Sequence, residues 1–195
     1  DVSTKVMFAN FGKRLGIAFL ISIILIVLTI ALNFKSFYQA RLILMVVPIG
    51  IFSAILGHGI IGKPFSIMSV WGVIALIGIL VNDAVVMLDK YNRNIAEGMN
   101  MNDAVISAGT SRFRAIILTT ITTFVGLFPL ILEKSFQAQF LIPMAISVAF
   151  GVLFGTIILL LYFPSLILYF NDMRRARWWL WIGGDTPPTK MDVEP

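Results

Sequence analysis

The sequence predicts an all-α, polytopic membrane helix bundle, with five transmembrane helices and one amphipathic interfacial helix. Three observations carry that prediction. Five stretches are apolar over close to the 20 residues that a helix needs to cross the hydrocarbon core. Charged residues make up 13% of the 195 positions, about half the share of roughly 25% usual in globular chains. The hydrophobic fraction is 58% and the mean hydropathy is +0.93.

Residues 1–15 form a polar lead-in to the first span, and the spans follow near 16–33, 42–61, 66–88, 114–132 and 140–170. Pro48, Pro129, Pro143 and Pro164 fall within or at the ends of these runs. Neighbouring helices can re-satisfy the backbone groups that proline frees in a membrane, so kinks or ends are expected there and not loops. Between the third and fourth spans, 89–113 mixes Ile95, Ala96, Met99, Val105 and Ile106 with Asn92, Arg93, Asn94, Glu97 and Asp103, which reads as an interfacial helix. Gly98 to Ala104 within it reads as a turn followed by an N-cap, because Asn and Asp accept bonds from free helix N–H groups. Gly72, Ala75 and Gly78 on the third span and the Gly151-x-x-x-Gly155 pair on the fifth supply small faces for close helix packing.

Five spans place the two ends of the chain on opposite faces, and the basic residues choose the orientation. Lys35, Arg41, Lys90, Arg93, Arg112 and Arg114 fall on the side of the C-terminal Arg174, Arg175, Arg177 and Lys190. The other side holds only Lys5, Lys13, Arg14, Lys63 and Lys134. Positive charge collects on the cytoplasmic side, so the N-terminus is expected outside and the C-terminus inside. Residues 171–195 read as a cytoplasmic anchor of basic residues with Trp178, Trp179 and Trp181, followed by a disordered tail. The chain opens on Asp1 without an initiator Met, which fits a fragment or a processed chain. The net charge of +5 belongs to membrane topology, and no nucleic-acid partner is expected.

The chemistry concentrates in two places. Asn82-Asp83 interrupts the apolar third span, and a carboxylate at that depth needs a partner, a proton or a water-filled cavity. Asp83 and Lys90 share a helix face but lie about 10 Å apart along the axis, too far for direct pairing. On the fourth span Arg112 and Thr119 also share a face, with Arg114, Thr120, Thr122 and Thr123 beside them. The blander expectations are that the arginines snorkel to the interface, that the threonine hydroxyls bond back to carbonyls of their own helix, and that Asp83 serves helix packing. His58 reads as an interfacial residue and not a ligand, since no second metal-type side chain stands at helical spacing from it. With no cysteine, no phosphate loop and no catalytic triad, neither an enzyme nor a metal or cofactor site can be assembled.

The run Gly72 to Asp89 resembles the tenth membrane helix of resistance-nodulation-division (RND) efflux permeases, and Arg112 to Leu130 resembles their eleventh. Gln137 to Ala145, followed by Gly151 to Gly155, is similar to the start of their twelfth. This resemblance implies the last five membrane helices of a proton-driven permease of multidrug-resistance type in the bacterial inner membrane, the isolated chain not pumping by itself. It implies a periplasmic N-terminus, a cytoplasmic C-terminus, the N-terminal half of the permease as partner in the lipid bilayer, and a homotrimer joined to a periplasmic adaptor and an outer-membrane channel. It also implies no cofactor. By position Arg112 and Thr119 match the relay arginine and threonine of the family's eleventh helix; with Asp83, read from its depth in the third span, and Asn82 beside it they make the expected proton relay, with Arg114, Thr120 and Thr123 as secondary candidates. Asn82 stands where many multidrug members carry a lysine, and Ala115 where proline often follows the second arginine. The alternative reading is a membrane scaffold or a protein-export accessory subunit, with Asp83 as structural glue.

Overall fold

The computed structural model describes residues 2–34 and 37–182. Among the described residues every regular element is helical: α1 (Val2–Phe34), α2 (Phe37–Leu44), α3 (Val46–Ile61), α4 (Ile67–Ala96), α5 (Met101–Leu132) and α6 (Phe136–Ile182). The chain divides into two compact units, residues 1–41 and 42–194. In the first, the stretch 16–33 lies within the 33-residue α1.

Four stretches among the described residues are long and apolar enough to cross a membrane: Gln39–Ile61, Ile67–Ala96, Met101–Leu132 and Phe136–Met173. They match the second to fifth expected spans. The first of them breaks at Met45, whose N–H turns back to Leu42 O at 3.2 Å. Pro48 supplies a cause, since it has no N–H to give the carbonyl four residues earlier. Pro129, Pro143 and Pro164 all lie inside continuous helices.

The interfacial helix expected within 89–113 is not a separate element. Residues 89–96 are the end of α4 and 101–113 the start of α5. Leu88, Tyr91 and Asn94 of α4 and Ala104, Val105 and Ala108 of α5 are buried at helical spacing, and α4 packs on α5, so the segment closes a helical hairpin. At 30 and 32 residues the two helices measure about 45 Å, well beyond a hydrocarbon core of about 30 Å, and carry their polar ends past it. Gly98, at φ 89°, makes the turn possible. Asn94 Nδ2 donates to Ala104 O at 3.1 Å across it. Asn100 is the N-cap of α5, but its side chain makes no cap bond.

The turn between α3 and α4 is equally local in origin. Gly62 ends α3 in the left-handed region at φ 71°, donating to His58 O. Ser66 then opens α4 with a capping box shared with Ser69.

Within the second unit α6 packs against α3, α4 and α5, while α4 also meets α3 and α5. Small residues permit the approach. Leu76 of α4 seats against Gly151 and Leu80 against Gly155 and Gly50, while Gly72 lies on the backbone of Met144. Lipid is as apolar as a leucine side chain, so such close contact, more than water exclusion, holds membrane helices together. The stretch expected to form a basic and tryptophan anchor runs into the last turns of α6, and the tail expected to be disordered lies outside the described residues from 183 onward.

Candidate functional site

The candidate site lies on α4 and α5, the antiparallel pair joined at 97–100. Asp83 stands 13 residues from the end of α4 at Ala96, about 20 Å along the axis. Arg112 and Thr119 stand about 17 Å and 27 Å from the start of α5 at Met101. Measured along the helices from the turn, Asp83 therefore falls between the positions of Arg112 and Thr119. It is half-buried, flanking the face of α4 whose Leu80, Ala84 and Met87 are buried.

On α5, Arg112 is half-buried and Thr119 exposed. Only 17% of the most apolar window of α5 is buried, against 56% for α6, so among the described residues much of the α5 surface is left uncovered. No hydrogen bond or ion pair among the described residues joins Asp83 to Arg112 or Thr119. Thr119 donates to Ala115 O at 3.2 Å and Ile116 O at 2.9 Å. Its hydroxyl proton is thus occupied within α5, and its lone pairs remain able to accept from another helix.

The remaining sequence-predicted residues divide. Asn82 is exposed, one residue and 100° around α4 from Asp83. Arg114 is exposed and Thr123 half-buried. Thr122 bonds back to Leu118 O and Thr119 O. Thr120 does not bond back: it is buried and donates to Thr156 Oγ1 of α6 at 3.0 Å. Asp89 pairs with Arg93 at 3.0 Å, an exposed i,i+4 pair at the end of α4.

His58, expected at the interface, is buried instead. Its Nδ1 lies 3.1 Å from Ala54 O and its Nε2 2.8 Å from Ser69 Oγ. A carbonyl only accepts, which places the proton on Nδ1 and makes Nε2 the acceptor of the Ser69 hydroxyl in the neutral ring. Among the described residues no group of three or more His, Cys, Asp or Glu side chains is placed to hold a metal ion.

Long apolar helices around a central α6, with a carboxylate, a guanidinium and threonines on the least covered helix pair, define a polytopic membrane protein with a polar helix pair. The chain belongs to the AcrB/AcrD/AcrF family, whose profile matches residues 5–171. The multidrug resistance protein MdtC of Erwinia tasmaniensis is 29% identical over 162 residues, covering 83% of this chain and 16% of the relative. The swarming motility protein SwrC of Bacillus subtilis is 30% identical over 170 residues, covering 87% and 16%. A crystal structure of a heavy metal efflux pump superposes with a TM-score of 0.73 at 26% identity, covering 86% of this chain and 17% of that one. The chain thus spans about a sixth of the length of the relatives that it matches. The family match favours a transporter over a membrane scaffold or a protein-export accessory subunit.

Proposed function

We propose that α4 and α5 carry the proton-handling face of a secondary active efflux permease, in which Asp83 loads and releases a proton while Arg112 and Thr119 change hydrogen-bond partners. The observation that carries the reading is the placement of Asp83, half-buried in an apolar helix and level with the interval between Arg112 and Thr119 on the neighbouring helix. A carboxylate there is expensive unless it exchanges a proton or meets a cation, and both needs point to ion traffic. Asn82, Arg114, Thr120 and Thr123 complete the polar surroundings.

The open side of α5 is suited to the N-terminal half of the permease, whose helices would supply acidic partners for Arg112. α1 supplies the fifth span, with the N-terminus periplasmic and the C-terminus cytoplasmic in a bacterial inner membrane. The complete protein works as a homotrimer with a periplasmic adaptor and an outer-membrane channel and exports drugs or other amphiphiles.

The test is Asp83→Asn in the intact permease, reconstituted in proteoliposomes with an imposed proton gradient and assayed by ethidium export. The amide keeps the shape and cannot take up and release a proton. Export is expected to collapse with insertion and expression unchanged. Undiminished export would assign Asp83 to helix packing.

A further inference from the structure

Thr156 received no role from the sequence, because a lone threonine in an apolar run reads as one that bonds back to its own helix. In the structure it is fully buried and accepts the hydroxyl of Thr120, itself 2% exposed. Its neighbour Gly155 is equally committed: a Cβ on Gly155 would lie 2.9 Å from Leu80 Cδ1. Two successive residues of α6 therefore hold both helices of the candidate site. Gly155 seats α4 at Leu80, one turn from Asp83, and Thr156 ties α5 at Thr120, the residue after Thr119.

Apolar helix faces in lipid specify rotation weakly, since lipid and leucine are alike to them, whereas an interhelical hydrogen bond fixes one azimuth. With Thr120 turned to α6, Arg112 and Thr119 lie about 80° to 100° around α5 from it and within about 20° of each other. A rotation of α5 would therefore move Arg112 and Thr119 together relative to Asp83.

Resting on the proton-coupling reading above, we infer that Thr156 is a positioning residue, whose bond to Thr120 sets the rotation of α5 and so aims Arg112 and Thr119. It acts through Thr120 and does not itself carry the proton.

The experiment uses the intact permease in proteoliposomes, with ethidium export and lumenal pyranine fluorescence followed across a series of imposed pH values. Thr156→Val keeps the volume and removes the hydroxyl, and Thr156→Ser restores it. The valine variant is expected to lower export roughly tenfold and to displace the pH of half-maximal export, while the serine variant retains both. Thr156→Val with the wild-type rate and pH profile, or a serine variant as impaired as the valine one, overturns the positioning role. Thr119→Ala in the same assay separates the two levels. Impaired Thr119→Ala beside silent Thr156→Val removes only the role of Thr156, whereas silent Thr119→Ala overturns the proton-coupling reading beneath it.

Discussion

His58 Nε2 of α3 lies 2.8 Å from Ser69 Oγ of α4, and this bond closes the turn at 62–66 from inside the bundle. Ser69 is also the N3 partner of the Ser66 cap, so one hydroxyl serves both the helix start and the contact between helices. Ser69→Ala leaves a buried ring nitrogen without a partner, which costs about 1–3 kcal/mol. Thermal unfolding in detergent is expected to show that loss. His58→Phe combined with Ser69→Ala should cost less than the sum of the single changes, because removing both partners of a buried bond leaves nothing unpaired. Strict additivity would show that the bond contributes nothing.

Gly72 and Gly78 look alike in the sequence, yet they meet different surroundings. A Cβ at Gly72 would stand 2.6 Å from Met144 O and 2.7 Å from Ser147 Cβ, while one at Gly78 would meet nothing within 4 Å. Gly72→Ala should destabilise the packing of α4 on α6 by about 1–3 kcal/mol, as overpacked cores do. Gly78→Ala should be neutral or slightly stabilising, since alanine favours helix by about 1 kcal/mol over glycine. Equal effects of the two in detergent melting would contradict the arrangement of α4 on α6.

Glu133 starts the turn into α6, its Oε1 accepting from Lys134 N at 2.9 Å and Ser135 N at 3.0 Å. Those backbone N–H groups hold its carboxyl below the usual glutamate value of 4.5. A carboxylate depressed in the folded state contributes order above its unfolded pKa and loses it as the pH falls through the folded one. Amide exchange, corrected for its intrinsic pH dependence, should therefore show declining protection at Lys134 and Ser135 as the pH is lowered through that acid range. Glu133→Gln should abolish the decline; a decline that persists in that variant would assign it to another group.

The existence of α3, α4, α5 and α6 was legible because apolar length alone sets a membrane span. The end of α4 and the start of α5 were not, since the spacing of Leu88, Tyr91, Asn94, Ala104 and Ala108 suits a surface helix and a packed hairpin equally. The burial of His58, read as interfacial, and the contact of Thr156 were missed for a shared reason. Their partners, Ser69 and Thr120, stand on other helices, and a single sequence does not show which faces meet. Thr119 and Thr120 illustrate the same limit, for adjacent threonines went separate ways: one bonds within α5 and the other crosses to α6.

Five spans with opposed ends can be checked with Ser3→Cys and Thr189→Cys in the intact permease. A membrane-impermeant maleimide added to sealed cells with a permeabilised outer membrane should label the first position and spare the second. Labelling of both from outside would contradict an odd number of spans, and labelling of the second position alone would reverse the topology.

Asp83, Arg112 and Thr119 acting as one proton-handling unit is the central claim, and a double-mutant cycle of proton-driven export tests it most directly. Asp83→Asn, Arg112→Ala and Thr119→Ala should each abolish most of the transport, and Asp83→Asn with Arg112→Ala should be little worse than either alone, because residues that work as a unit are non-additive. Arg114→Ala, at an exposed position about 200° around α5 from Arg112, should be milder. Independent, additive losses from Asp83→Asn and Arg112→Ala, or a silent Arg112→Ala beside a deleterious Arg114→Ala, would contradict the account.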